Sequence, residues 1–167
     1  MFRVLFVCTG NTCRSPMAAE LLRHELAQAG IAAEVGSAGL RTKLSGAAAD
    51  PRARQVLRSH GLGSDHAVRQ FDSAMFASHD LLIALDSNHA WVLAQLAPTP
   101  AAAARIRLLG SFGPAGAAGW DVPDPVGGDI GDYERALRLI RSAMPGVLAE
   151  ITAATSTCPA AGGGDCG

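Results

Sequence analysis

The sequence predicts a single three-layer α/β domain, a four-stranded parallel sheet with helices on both faces. Three observations predict it. Short apolar runs alternate with stretches of helical spacing along most of the chain. The first run, Val4 to Val7, shows no polar alternation, as befits a central parallel strand buried on both faces. The length of 167 residues suits one domain with a sizeable core.

In chain order, residues 3–8 read as the first strand and residues 15–29 as a helix. In that helix Met17, Ala18, Leu21, Leu22 and Leu26 fall on one stripe. Ser15 followed by Pro16 reads as a capping hydroxyl and a first-turn proline, and Gly30 as the stop. Residues 33–38 form a short second strand and 39–50 a loop. Residues 51–60 form a helix with Val56 and Leu57 inward, and 72–78 a short helix. Leu81 to Leu85 is the third strand, ending at Asp86. Residues 87–96 form a helix with Ser87 as cap and Trp91, Leu93 and Leu96 toward the core. Arg105 to Leu109 is the fourth strand. Residues 110–131 are rich in Gly and Pro without a period, a length that marks a functional or disordered loop. The last helix runs from Asp132 to about Thr152, with Tyr133 available as core or as a phosphorylation site and Pro145 as a possible kink. The domain is expected over 1–153, and 154–167 reads as a disordered tail.

A formal net charge of -1 gives no general attraction to nucleic acid or membrane. No apolar run approaches the roughly 18–20 residues of a membrane span, and no signal peptide precedes Cys8, so the cytoplasm is the expected location. The four cysteines, Cys8, Cys13, Cys158 and Cys166, frame neither a small secreted fold nor a zinc site.

The chemistry concentrates in Cys8-Thr9-Gly10-Asn11-Thr12-Cys13-Arg14-Ser15, between the first strand and the first helix. Parallel sheets bind ligands beyond the C-terminal ends of their strands, where Cys8, Asp86 and the long loop should meet. Backbone N–H groups of a tight loop at a helix N-terminus form an anion cradle. Arg14 adds a planar fork for two phosphate oxygens. The same positive field favours Cys8 as a thiolate nucleophile, and Ser15 is placed to donate to it.

Cys-x5-Arg-Ser directly after a strand resembles the low-molecular-weight protein-tyrosine-phosphatase family over about residues 3 to 152. Asp124, in Asp121-Val122-Pro123-Asp124-Pro125, matches that family's general acid. Asp121 and Asp129 are rivals without a following proline. The resemblance implies that Cys8, Arg14 and Asp124 are catalytic. It implies that Thr9, Gly10, Asn11, Thr12, Cys13 and Ser15 hold the phosphate, with Ser37 and His66 supporting Asn11. Asp86 matches the segment flanking the mouth of the site, and also reads as an ordinary helix-cap neighbour. The implied reaction runs through a phosphocysteine, without metal or cofactor, on a phosphorylated protein, and a monomer is expected. Cys13 either packs under the loop or forms a reversible disulfide with Cys8.

Substrate choice is less fixed. Tyrosine-specific members carry an aliphatic residue at the position of Thr12 and aromatic residues after the Asp-Pro. Here Asp124-Pro125 is followed by Val126-Gly127-Gly128. Thr12 and Asp-Pro-x-Gly-Gly resemble the bacterial protein-arginine-phosphatase branch, although that branch's aromatic is Val126 here. Phosphotyrosine, or a generic phosphomonoester, is placed ahead of phosphoarginine because the family is broad. Arsenate reduction is disfavoured because residues 80 to 97 hold no resolving cysteine. A non-catalytic phosphate-binding module should lack the nucleophile or the acid, and both are present. His24, His60, His79 and His89 read as surface or packing residues, and Arg41 as a weak substrate contact.

Overall fold

The computed structural model describes residues 1–114 and 119–156. Four strands, β1 (Phe2–Cys8), β2 (Ala33–Gly39), β3 (Leu81–Ala84) and β4 (Ile106–Leu108), form one parallel sheet in the order β2-β1-β3-β4. Around it lie α1 (Arg14–Ala29), α2 (Pro51–Ser59), α3 (Met75–Ser78), α4 (Ser87–Leu96), α5 (Pro100–Ala103) and α6 (Ile130–Ser156), with a 3-10 turn at Leu109–Phe112.

Alternation along β1 builds two cores from one strand, because successive side chains leave a strand on opposite faces. Val4, Phe6 and Cys8 join Leu81 and Ile83 under α1, α2 and α6. Leu5 and Val7 join Leu82 and Ala84 under Phe76 of α3, Leu93 of α4 and Ala102 of α5. Val4 to Val7 are fully buried, which explains the unbroken apolar run.

The sheet order places the site. The chain leaves β1 toward β2, then crosses back so that β3 pairs with the other side of β1, Val7 opposite Ala84. The loop after β1 therefore lies between the segments that follow β2 and β3, at the switch point where open parallel sheets bind ligands.

Several boundaries differ from expectation. Cys13, not Ser15, holds the N-cap position of α1, without a side-chain cap bond, because the Ser15 hydroxyl is engaged elsewhere. Asp86, not Ser87, caps α4 by accepting from the His89 N–H. Trp91 and Leu96 are exposed instead of core-facing, since α4 turns only His89 and Leu93 inward. α6 begins at Ile130 and continues past Pro145 to Ser156, beyond the expected start of the tail. Cys158, Cys166 and the rest of that tail lie outside the described residues. Tyr133 is fully buried, which places it in the core. No helix among the described residues is long and apolar enough to cross a membrane.

Candidate active site

Cys8 ends β1 with its side chain 3 % exposed, and Arg14 begins α1. The intervening loop is held from outside by its carbonyls. Those of Cys8 and Thr9 accept from Leu40 and Arg41 N–H at 2.9 and 2.8 Å, and that of Thr12 from Asp50 N–H at 2.8 Å. The Asn11 carbonyl accepts from His66 Nε2 at 2.9 Å. With these carbonyls engaged from outside the loop and the Asn11 N–H aimed at Cys8 Sγ, the loop has the build of an anion-binding nest. Gly39 makes this close approach of β2 possible. A Cβ there would lie 2.9 Å from both Asn11 N and Gly10 C.

Asn11 is the keystone of the loop. Among the described residues it is the one non-glycine with positive φ, at 56°, a conformation Asn tolerates better than most side chains. Its Oδ1 accepts from Arg69 N–H at 2.8 Å and from His66 Nε2 at 3.1 Å. Its Nδ2 donates to the hydroxyls of Ser15 and Ser37, each at 2.9 Å. The two donors on one side and two hydroxyls on the other orient the amide, and His66 must carry its proton on Nε2 because both its partners are oxygens of Asn11. Burial holds the His66 pKa below its ordinary value.

The same network aims a proton at sulfur. The Ser15 oxygen accepts from Asn11, so its own proton goes to Cys8 Sγ at 3.0 Å or to the Ala38 carbonyl at 3.5 Å. Sulfur is nearer. The Asn11 N–H also points at Cys8 Sγ, at 3.3 Å. The Ser15 hydroxyl and the Asn11 N–H thus both lie within hydrogen-bond reach of the sulfur.

Arg14 joins the halves of the site. Its Nη1 donates to Asp86 Oδ2 at 2.9 Å and to the Val122 carbonyl at 3.0 Å. Its Nη2 donates to Asp124 Oδ2 at 3.0 Å. The Asp124 segment is tied to the end of β3, as Val122 N–H donates to the Leu85 carbonyl at 2.9 Å. Asp124 is about half exposed at the mouth, and its Oδ1 accepts from Val126 N–H. The rival carboxylates are occupied otherwise. Asp121 holds Ser87 through both its N–H and its hydroxyl. Asp129 accepts from Asp132 N–H at the start of α6.

Asp86 both caps α4 and accepts from Arg14 Nη1. His89 falls on the packing side of its reading as a surface or packing residue, with a contact to the loop that this reading missed. It is 1 % exposed, and its Nε2 lies 2.8 Å from Thr9 Oγ1. Its Nδ1 lies 2.9 Å from Asp86 Oδ1 but out of hydrogen-bond alignment, and the same oxygen takes the His89 backbone N–H at 2.7 Å. Burial lowers its pKa against the opposing pull of Asp86. The sequence signal was present in Asp86-Ser87-Asn88-His89, since a capping aspartate places the residue three positions on beside its carboxylate.

Cys13 faces the core, with Sγ 3.6 Å from the Tyr133 hydroxyl, and burial raises its pKa. Cys8 and Cys13 are both unbridged thiols. Another strut escaped the sequence reading. Arg52 lies over the Tyr133 ring, pairs with Asp50 and donates to the Gly128 carbonyl at 2.7 Å. It ties the far end of the Asp124 loop to the residue that holds Thr12. Thr9, Gly10, Thr12, Asp124 and Val126 line a cleft of about 320 Å³, completed by Arg41, Lys43 and Leu44. No aromatic side chain lines it.

A family model described as low molecular weight phosphotyrosine protein phosphatase matches residues 3–157. The chain belongs to this family. A low molecular weight protein-tyrosine-phosphatase from Streptomyces coelicolor is 46% identical over 153 residues, covering 90% of this chain and 93% of that protein. Among solved structures, a protein tyrosine phosphatase from Entamoeba histolytica aligns with a TM-score of 0.87 at 25% identity, covering 93% of this chain and 99% of the other. The YwlE arginine phosphatase from Geobacillus stearothermophilus aligns with a TM-score of 0.81 at 30% identity, covering 95% and 98%. This low-molecular-weight phosphatase chain is therefore a cysteine-dependent protein phosphatase, and its family acts on phosphorylated proteins.

Proposed function

We propose that the chain hydrolyses phosphotyrosine on protein substrates through a phosphocysteine at Cys8. The observation that carries this reading is the convergence of Ser15 and Asn11 donors on Cys8 Sγ, beside an Arg14 that also holds Asp124. In the first step the thiolate attacks phosphorus. The S–P bond forms, the P–O bond to the phenol breaks, and Asp124 gives its proton to the departing oxygen. The loop N–H groups and Arg14 hold the equatorial oxygens. The Arg14–Asp124 contact opens as the phosphate enters, while Asp86 keeps the guanidinium in place. In the second step Asp124 takes a proton from water, whose oxygen attacks phosphorus. The S–P bond breaks, inorganic phosphate leaves, and Ser15 and the Asn11 N–H receive the thiolate.

His89 and Asp86 act here as positioning residues for Thr9 and Arg14, and Ser37 and His66 act through Asn11. The scheme draws all its residues from one chain and calls on no cofactor, and a monomer working in the cytoplasm is part of this proposal. The test is turnover of p-nitrophenyl phosphate, inhibited by vanadate. Cys8→Ser should abolish it with the melting curve preserved, and an active Cys8→Ser enzyme sinks the mechanism.

Phosphoarginine is the second reading, favoured by the cleft itself. Thr12 offers a hydroxyl, and Val126 and Leu44 supply apolar walls without an aromatic ring to stack on a phenol. A comparison of kcat/KM on matched phosphotyrosine and phosphoarginine peptides separates the two.

A further inference from the structure

Six large apolar side chains are exposed among the described residues: Met1, Leu44, Trp91, Leu96, Val126 and Ile130. Four of them gather at two depressions. Leu44 and Val126 line the catalytic cleft. Trp91 and Leu96 line a second groove of about 420 Å³, with Leu40, Phe71 and Val92 as further apolar lining. The two depressions share a rim, because Thr9 and Arg41 line both.

Trp91 is 64 % exposed on a helix whose inward positions are taken by His89 and Leu93. An aromatic left in water beside a groove that is half lined by apolar side chains forgoes burial that a partner can supply. The partner must arrive together with the phosphate. The groove opens directly over the rim from the cleft that takes the phosphorylated side chain, and an extended chain covers roughly 3.3 Å per residue. A residue a few positions from the phosphorylated one therefore reaches it. Arg41 on the shared rim places a cation beside the incoming phosphate.

We propose that the Trp91 groove is a specificity subsite, which takes a large apolar side chain of the phosphoprotein flanking the phosphorylated residue. This inference rests on the phosphatase reading and deepens it. It assigns sequence selectivity to α4 and the segment after β2, in place of the wall that follows Asp124-Pro125.

The experiment uses the full chain and phosphotyrosine peptides in which leucine is scanned through the flanking positions of a serine background, with p-nitrophenyl phosphate as the small probe. One or two positions should show an advantage of about tenfold in kcat/KM for leucine over serine, the scale expected for burying one large apolar side chain. Trp91→Ala should remove that advantage relative to p-nitrophenyl phosphate, and Trp91→Phe should keep most of it. No leucine advantage at any position, or one that survives Trp91→Ala, overturns the proposal. Loss of a dimer in Trp91→Ala with the peptide preference intact also overturns it, by assigning the groove to a second copy. If the wild-type chain leaves p-nitrophenyl phosphate intact, the phosphatase reading itself has failed, and this inference with it.

Discussion

Arg14 and Asp124, 110 positions apart, are joined by a 3.0 Å hydrogen bond from Nη2 to Oδ2. The residue that closes the loop thus also holds, before substrate enters, the carboxyl proposed to serve the leaving group. Neither side chain reaches its place alone. Arg14 is held by Asp86 and the Val122 carbonyl, and Asp124 sits two residues beyond Val122, whose N–H is tied to the end of β3.

From that relationship, Asp124→Asn should lower kcat about 10²- to 10⁴-fold on phenyl phosphate, the range for losing a general acid. The loss should shrink sharply on p-nitrophenyl phosphate, whose leaving group needs little protonation. Equal losses on both substrates would show that Asp124 positions Arg14 instead of giving a proton.

Asn11→Ala should cost stability as well as activity. It removes four side-chain hydrogen bonds, to Arg69, His66, Ser15 and Ser37, and puts Ala at positive φ. A loss of about 2–4 kcal/mol in urea unfolding is expected from the buried groups left unpaired. A loss confined to activity would mean that the loop holds its shape through its carbonyl bonds alone.

A pH dependence of stability follows from two histidines, partly buried His66 and buried His89. Burial lowers the pKa of His66 and His89 from the ordinary 6.5, and Asp86, Arg14, Asp124 and Asp121 are the charges that face His89. Below 6.5 the unfolded chain binds protons that the folded chain refuses. Stability therefore falls as pH drops from 6.5 toward the folded values, and this contribution is complete above 6.5. His89→Gln, which can still reach Thr9, should flatten the slope of the melting temperature between about pH 5 and 6.5. An unchanged slope would remove His89 as a contributor.

Thr12→Ile should shift the ratio of kcat/KM for phosphotyrosine over phosphoarginine upward by about tenfold, because it replaces a hydroxyl on the cleft wall with apolar surface. An unmoved ratio would dismiss Thr12 as the selector.

What the sequence determined by itself is local or carried by strong patterns. Val4 to Val7 announced a doubly buried strand. Cys8 through Ser15 announced the loop, because its donors, arginine and nucleophile are neighbours in the chain. Asp124 could be singled out by its proline, although the sequence alone left Asp121 and Asp129 as rivals. Tertiary structure decided the rest. Periodicity tells which residues share a helix face, not which face finds a partner, so Trp91 was expected toward the core and His89 was left between surface and packing. Ser15 looked like a cap because hydroxyls before a helix usually are; the turn of the loop gave its hydroxyl to Cys8. Asp121 and Asp129 were separated from Asp124 only by what each binds. The order β2-β1-β3-β4 is the physical reason for much of this. It sets β3 beside β1, and so brings Asp86, His89 and the Asp124 segment against a loop that lies about 70 to 110 positions earlier.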